Sequence, residues 1–498
     1  MKKLLVSLLL IFMITFLHAD PPIGFPLFKT APIDRRVEKT AQSFLFYRPI
    51  FQNIAAQLSS YWHDAVYEKI GCLMHSFQIM PMYQQSFSNA PVARYFLINQ
   101  KNTLVFKGDM APAPNLRDVR AEWLQLPNDF VGTFSLNPKQ KQFGIWFELN
   151  QDLKKFSIRD LFASLWVGAA FAFQIVENTL QPSQLLISGP SQNSPKDIIA
   201  AFNRTNMRFG KIANRKRENK SVSELQFKLG ATLMARDGFQ IGGYSSVIFP
   251  TAKHQDPTYM FDPFLGHNRH FGFGSGVHFQ LPLNRDVDCK LVALFFNVEN
   301  LFFLRNFQRR SLNLRFKPWS RYLLLNKRDG TMNIPAINVL SPCVKVQPFN
   351  FVDLSAGLRI QVKWCEFEIG YSFWAHGDEL LELPHPFPED YGIAGDGALV
   401  PGTNIGATAS ESTIANRAPN DLNSSNQPTF VPIRERDLDL RSGAARAGLA
   451  HRIHCALGIV HDQCTFALFW GLGGFVEIPQ NNTILQNWGL WGKIGGTF

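Results

Sequence analysis

Apolar and polar residues alternate along many segments of this chain with a period of two. One face of segment 351–362 carries Val352, Leu354, Ala356, Leu358, Ile360 and Val362. The positions between them hold polar or small residues, including Asp353, Ser355 and Arg359. Because neighbouring side chains of a strand point to opposite faces of a sheet, this pattern predicts a β-strand with one apolar and one polar face.

The same alternation recurs from residue 72 to the last residue and predicts fourteen strands. They cover residues 72–84, 119–126, 130–137, 143–153, 161–176, 225–235, 239–249, 271–283, 292–299, 351–362, 365–374, 443–460, 466–478 and 484–498. The tight turn at residues 236–238 contains Asp-Gly, which is typical of a hairpin between antiparallel strands.

Short turns and long connections follow one another along these strands. The longest connections are 177–223, 305–343 and 377–441. Short periplasmic turns and long external loops are the rule for outer-membrane barrels. We therefore predict an all-β fold for residues 72–498, a transmembrane antiparallel up-and-down β-barrel of about fourteen strands, within a range of twelve to sixteen. A soluble β-sandwich or jelly roll also alternates and is the alternative fold.

The first residues have the pattern of a signal peptide. Lys2 and Lys3 give a positive start, residues 4–17 form an uncharged apolar stretch, and small or neutral residues lead up to Ala19. This pattern predicts a secretory signal over residues 1–19 that is cleaved after Ala19. An uncleaved anchor helix is the alternative interpretation.

The composition after residue 19 further limits the class of protein that this chain can belong to. No apolar run reaches the 18 residues that a membrane-spanning helix needs, yet 46% of all residues are hydrophobic and 45 are Phe. A barrel that faces lipid uses such residues on its outside.

Four of the six cysteines lie at or just before the start of a predicted strand, at Cys72, Cys289, Cys365 and Cys464. We interpret them as small apolar residues, with a disulfide left open because the compartment is oxidising.

If the apolar face of the sheet meets lipid, the polar face lines the lumen. The candidate lumen-lining residues carry both signs of charge: Glu148, Asp152, Lys228, Glu299, Asp353, Arg359, Glu366, Glu368, Arg446, Arg452 and His454. An Arg or Lys facing hydrocarbon at the midplane costs about 2–4 kcal/mol, so these residues are expected to face inward. Two interpretations stay open: a water-filled pore whose selectivity they set, or a network of ion pairs that fills the barrel.

The long connections differ in charge. Residues 305–343 hold eight Lys or Arg against Asp329 alone, and residues 377–441 hold eleven Asp or Glu against four Arg. A basic loop suits phosphate groups of surface glycolipids or steers anions inward. Alternatively, the basic and acidic loops fold over each other as a lid. The compartment and the lack of a binding motif argue against nucleic acid as a partner.

Some barrels of this class are enzymes, which need a nucleophile or a pair of residues that activates water. The candidate histidines are His270, His278, His376 and His454, with Asp353 or Glu368 as partners. Their spacing matches no triad, and no spacing resembles a metal site. We therefore expect no catalytic residue, no cofactor, no metal and no enzymatic activity.

Residues 20–71 precede the first predicted strand and have a different pattern. Apolar residues recur at helical spacing at Val37, Ala41, Phe44 and Leu45, and again at Phe51, Ile54, Ala55, Leu58, Trp62, Ala65 and Val66. This spacing predicts two amphipathic helices separated near Pro49. They form either a hatch inside the barrel or a layer that lies on the membrane surface or packs under the barrel.

The last strand ends in Phe498, with Trp488, Leu490 and Ile494 on the same apolar face. This resembles the C-terminal signal of bacterial outer-membrane proteins, which implies that the barrel-assembly machinery reads Phe498. The fourteen-strand count with an N-terminal extension resembles the long-chain fatty-acid and hydrocarbon transporters of the outer membrane. In that family an N-terminal hatch plugs the lumen, which implies the same position for residues 20–71.

The sequence thus favours a secreted outer-membrane channel or transporter that passes or binds small solutes, hydrophobic ones included. The alternative is a surface-exposed binding or adhesion barrel without transport activity. The expected partners are outer-membrane lipids, the barrel-assembly machinery and a small-molecule solute. The oligomeric state stays open.

Overall fold

The computed structural model describes residues 41–68, 75–87, 90–153, 164–187, 195, 197–236, 238–253, 255, 257–285, 290–463 and 466–498. These residues form one closed barrel and a folded region at one end of it. The barrel strands are β1 (His75–Ser86), β2 (Lys139–Asp152), β3 (Ser164–Thr179), β4 (Arg217–Arg236), β5 (Phe239–Pro250), β6 (Gly272–Arg285), β7 (Lys290–Phe303), β8 (Phe351–Val362), β9 (Cys365–His376), β10 (Gly448–Gln463), β11 (Phe466–Pro479) and β12 (Asn487–Thr497).

Each barrel strand pairs antiparallel with the next one along the chain, and β12 pairs with β1 to close the sheet. The first and last strands meet in register from Ser76, opposite Thr497, to Ser86, opposite Asn487. Closure gives every strand two neighbours, so the sheet has no free edge whose backbone groups lack partners. The all-β, antiparallel, up-and-down barrel is therefore confirmed.

Over the described residues the barrel has twelve strands, which is the lower limit of the predicted range, so the count of fourteen itself is wrong. The two surplus segments, 119–126 and 130–137, contribute Val119–Arg120 and Val131–Ser135 to a small sheet outside the barrel. There Val119–Arg120 pairs parallel with Thr103–Lys107, a pairing that an up-and-down barrel does not contain. These segments alternate because one face packs on an apolar core, which gives the same period of two as a barrel wall.

The long connections all lie at one end of the barrel, because long and short connections alternate between consecutive strands. We call the described residues of connections 87–138, 180–216, 251–271, 304–350, 377–447 and 480–486 the cap. At the other end, β4 and β5 are separated by only two residues, and so are β8 and β9. We call this the short-turn end.

The cap is a folded unit with its own apolar core. Its small sheets are Thr103–Lys107 with Val119–Arg120, Val131–Ser135 and Ser183–Leu186; Asn306–Arg309 with Cys343–Gln347 and Leu380–Glu382; Asn313–Leu314 with Leu438–Asp439; and Ile334–Pro335 with Leu324–Lys327, Tyr391–Leu399 and Gly406–Thr408. Its α-helices are Ala90–Phe96, Ile198–Phe202 and Ala336–Val339, and its 3-10 turns are Ile98–Gln100, Ala121–Leu124, Ser320–Tyr322, Glu435–Asp437 and Leu440–Gly443.

The basic and acidic connections do fold over each other within this cap. Three short ladders join them, and Arg310 lies 3.3 Å from Glu379. The core beneath is apolar, with Trp319 and Phe96 fully buried. The contact between the two loops therefore depends more on backbone pairing and apolar packing than on their opposite charges.

The two amphipathic helices predicted upstream are not formed as expected. Within the described residues 41–68, helical structure is limited to the α-helix Ile54–Leu58 and to residues 62–68, which end in the π-helical turn Asp64–Glu68. Some backbone N–H groups of this segment donate to barrel side chains instead of to helical carbonyls. The N–H of Ile50 donates to Gln142, and that of Ile54 donates to Asp353. Residues 1–40, which include the predicted signal peptide, lie outside the described residues.

The two faces of the barrel wall differ as the alternation predicts. Leu149, Phe227, Ile453, Leu472 and Leu490 are all more than half exposed on the outside. The charged residues between such positions are buried inside. Among the described residues, no helix is long and apolar enough to cross a membrane.

Candidate functional site

The lumen of the barrel is filled by residues 41–68, which we call the plug segment. Its first residues, including Phe44 and Tyr47, belong to the apolar core of the cap. Ile50 and Phe51 then pack with residues of the barrel interior, such as Trp146. Its last residues pack in a further cluster with wall residues, where Trp62 meets Phe469 of β11. The plug segment therefore enters from the cap and extends along the lumen.

Arg48 is the central charge of this contact. Its guanidinium lies 2.5 Å from Asp353 on β8 and 2.8 Å from Glu477 on β11, and all three side chains are at most 1% exposed. Glu477 also binds Arg452 of β10 at 2.8 Å. One arginine of the plug segment thus pairs with two strands of the wall and is linked to a third, β10, through Glu477. Charged groups so deeply buried are stable only when they are paired and hydrogen-bonded.

Nearer the short-turn end, the plug segment is held through its backbone. The N–H groups of Ser60 and Tyr61 donate to the two carboxylate oxygens of Glu366, at 3.0 and 3.2 Å. Both residues have positive φ angles, of 58° and 63°, which turns two successive N–H groups toward one carboxylate. Lys493 of β12 donates to the carbonyls of Gln57 and Ser59 at 2.7 and 2.6 Å.

Two further groups of polar side chains line the interior between plug segment and wall. Lys228 lies 2.9 Å from Glu148, and its ammonium also faces the rings of Trp146 and Tyr244. The Tyr244 hydroxyl donates to Glu299 at 2.8 Å. On the other side, Arg359 contacts both Glu366 and Glu368. Lys228 and Arg359 thus pair with carboxylates, while Glu299 accepts a hydrogen bond from a neutral hydroxyl.

The structure places most of the predicted lumen-lining residues together. Ten of the eleven lie on barrel strands with buried side chains: Glu148, Asp152, Lys228, Glu299, Asp353, Arg359, Glu366, Glu368, Arg452 and His454. Arg446 is the exception and a correction. Strand β10 begins only at Gly448, so Arg446 lies in the cap, where it faces Asp378 at 3.5 Å. The predicted strand 443–460 begins too early because Ala444 and Ala445 are buried in the cap core.

Sequence reasoning missed Arg48, Glu477 and Lys493 as candidate residues. Arg48 is a lone charge within the apolar stretch 44–51, and Glu477 is a lone charge near the end of the apolar strand β11. An isolated charge in an otherwise apolar stretch was the available signal, because such a charge is expected to have a buried partner.

The four candidate histidines have different surroundings and share no common site. His278 stacks on Tyr67 of the plug segment, and His454 lies 3.7 Å from Glu368. His376 contacts the carbonyl of Gly377, and His270 that of Leu304. The expectation that the protein is not an enzyme stays a prediction. Among the described residues, Cys343, Cys365 and Cys455 are free cysteines.

Comparison with known proteins adds a likeness of fold only. No protein-family model matches this chain, and no curated relative matches it. An outer membrane channel from Pseudomonas putida F1 is 8% identical, with 86% of this chain and 96% of that chain covered and a TM-score of 0.39. The transport unit of the autotransporter AIDA-I from Escherichia coli is 8% identical over 85% of this chain and 90% of that chain, with a TM-score of 0.31. A FadL homologue from Pseudomonas aeruginosa is 8% identical over 85% and 90% of the two chains, with a TM-score of 0.28.

Proposed function

We propose that this chain is an outer-membrane channel or transporter for small solutes, hydrophobic ones included, and that the plug segment controls its lumen. The observation that carries the proposal is the arrangement of the two faces of the wall. Apolar side chains are exposed on the outside and charged ones are buried inside, the reverse of a soluble protein. A closed sheet of this kind suits a lipid environment, because all its backbone groups are paired within the sheet.

The control of the lumen follows from what the plug segment contacts. It covers inward-facing residues of many strands, and Arg48 pairs with both Asp353 and Glu477, the second of which it shares with Arg452. These contacts are polar and hydrogen-bonded, so water can replace them when the segment moves. A plug held only by apolar packing would lack this property.

Two further parts of the proposal concern location and assembly. A cleaved signal over residues 1–19 would direct the chain across the inner membrane. Phe498 would serve as the assembly signal. It is 52% exposed, exchanges two backbone hydrogen bonds with His75, and stacks on the His75 ring at 5.4 Å. Removing Phe498 is therefore expected to lower the yield of heat-modifiable barrel in the outer membrane.

Planar-bilayer conductance of the refolded full chain tests the transport proposal. The plugged chain is expected to be silent or to open rarely, while removal of residues 20–71 produces stepwise conductance. A variant without residues 20–71 that folds as a barrel and stays silent would contradict it.

The alternative of a binding or adhesion barrel is favoured by one observation. The cap is an ordered unit with several sheets and a buried core rather than a set of separate loops. Such a surface suits a partner outside the cell. Persistent silence in the bilayer, together with loss of cell adhesion after deletion of the whole gene, would favour this second function.

A further inference from the structure

We infer that His63, Asp64 and Glu366 form a binding site for a divalent transition-metal ion, which fastens the plug segment to the barrel wall. His63 and Asp64 belong to the plug segment, and Glu366 belongs to β9. One ligand atom from each lies within 4.8 Å of the other two. Metal–ligand bonds of about 2.0–2.2 Å place neighbouring ligand atoms about 3–3.5 Å apart, so small shifts of the three side chains would let them bind one ion.

The orientation of the His63 ring carries the inference. Its Nδ1 lies 3.3 Å from the carbonyl oxygen of Leu58, which can only accept, so Nδ1 carries the proton. A backbone carbonyl bound to one ring nitrogen is the usual way in which a protein orients a metal-binding histidine. The other nitrogen, Nε2, is thereby directed into the cluster.

Nε2 faces two carboxylates. It lies 2.7 Å from Oδ1 of Asp64 and 3.7 Å from Oε2 of Glu366. The side-chain amide of Gln361 also lies 3.4 Å from Nε2. The lone pair of a neutral imidazole and two carboxylate oxygens repel one another, and a cation between them removes this repulsion. That cation is either a proton on Nε2 or a metal ion, and only the metal ion binds all three groups at once.

The surroundings support binding of a cation. Gln361 donates to the second oxygen of Asp64 at 3.0 Å, and the backbone N–H groups of Ser60 and Tyr61 hold Glu366. Contacts of this kind fix the ligands of metal sites. Lys493 donates to backbone carbonyls rather than to this cluster, and Arg359 faces Oε1 of Glu366 at 3.7 Å rather than the Oε2 that faces His63. Asp64 is 15% exposed, which leaves access for an ion and for water ligands.

The chemistry of the three ligands selects the class of ion. One imidazole nitrogen with two carboxylates suits Zn²⁺, Fe²⁺ or Mn²⁺ better than Ca²⁺, which prefers six to eight oxygen ligands. Sequence spacing did not predict this site because Asp64 and Glu366 are far apart in the chain and only barrel closure brings them together.

Zn²⁺ binding by the folded full chain tests the inference. Protein in detergent is stripped with a chelator, and bound Zn²⁺ is then measured by elemental analysis and by competition with a coloured chelator. We expect one Zn²⁺ per chain, with Ca²⁺ unable to displace it. His63→Gln and Asp64→Asn are each expected to weaken binding by at least about tenfold.

His454→Gln is the matched control. His454 is another buried lumen histidine near a carboxylate, Glu368, but it lies outside the proposed ligand set. This variant is expected to bind one Zn²⁺ as tightly as the unmodified chain. Heat-modifiable migration on a gel verifies that every variant is a folded barrel.

Two outcomes overturn the inference: no stoichiometric Zn²⁺ in the unmodified chain, or equal binding by folded His63→Gln. Zn²⁺ should also raise the unfolding temperature of the unmodified chain and not that of His63→Gln. These measurements do not depend on conductance, so a barrel that never conducts can still bind the ion.

Discussion

The barrel wall and the material that fills it follow different rules, although the same strands contribute to both. On the outer face, residues such as Leu472 are more than half exposed and need only be apolar. On the inner face, Asp353 and Glu477 each require the guanidinium of Arg48 at a fixed place. Outward positions are therefore expected to tolerate any apolar residue. Inward positions are expected to tolerate only residues that keep their buried partners satisfied.

The largest effect is expected from Arg48→Met. This change leaves Asp353 and Glu477 buried with fewer partners, and breaking a buried ion pair on one side costs about 3–5 kcal/mol. Reversible denaturant unfolding in lipid should show a loss of stability of this order. The control is Lys216→Met, which removes an exposed ion pair with Glu177 and should change stability by less than about 1 kcal/mol. Equal losses in the two variants would contradict the difference between filled lumen and surface.

Trp319→Ala extends the comparison to the cap. Trp319 is fully buried, and its Nε1 donates to the carbonyl of Phe96 at 2.7 Å. Truncating a buried Trp to Ala costs about 3–5 kcal/mol, which should appear as faster proteolysis of the cap while the barrel still migrates as a folded species. Phe316→Ala in the same connection is the control, since Phe316 is 87% exposed. Unchanged proteolysis of Trp319→Ala would show that the cap has no cooperative core.

Leu472→Arg tests the outer face. Leu472 lies near the middle of β11, 60% exposed, and an Arg in contact with hydrocarbon at the midplane costs about 2–4 kcal/mol. Spontaneous insertion into lipid vesicles should become less efficient, while Leu472→Phe should insert like the unmodified chain. If Leu472→Arg inserts equally well, the apolar belt does not face lipid.

The smallest effect concerns an acid-dependent contact in the cap. Hydrogen bonds from Arg120 and Arg117 lower the pKa of Asp109 to about 2. A carboxyl group with a lowered pKa stabilises the folded state above its unfolded pKa of about 3.9, and this contribution is lost as the pH falls toward 2. Cleavage of the cap by pepsin should therefore accelerate as the pH falls from about 4, the ordinary pKa of an Asp carboxyl group, to about 2. In Asp109→Asn the cap should already be cleaved faster at pH 4 than in the unmodified chain, and its cleavage rate should change less between pH 4 and pH 2.

The wall could be predicted from the sequence because a closed sheet with an exposed apolar face and a buried polar face repeats the same alternation in every strand. The prediction for 351–362 agrees with β8 to the residue, and ten inward candidates are buried as expected. The strand count failed at 119–126 and 130–137 because a half-buried strand in the cap alternates like a strand in the wall.

The contents of the lumen could not be predicted in the same way. Helical spacing in residues 37–66 records which side chains are apolar, but the backbone partners that replace helical bonds come from Gln142, Asp353 and Glu366. These residues are distant in sequence and are brought together only by closure of the barrel. Pairings of this type, such as Arg48 with Glu477, leave no periodic signal.

The central claim is that residues 41–68 lie inside the closed wall, and a cysteine pair tests it most directly. A Cβ built at Gly458 of β10 would lie 3.2 Å from the Cβ and 2.8 Å from the Cα of Ser60, so the plug segment must shift outward by a few tenths of an ångström to reach the disulfide separation of about 3.5–4.5 Å. In a chain whose native cysteines are replaced, Ser60→Cys with Gly458→Cys should cross-link upon oxidation in the folded barrel. Ser60→Cys with Leu457→Cys, whose second cysteine faces outward on the same strand, should not. A folded barrel in which the first pair fails to cross-link, or in which both pairs cross-link equally, would contradict the account.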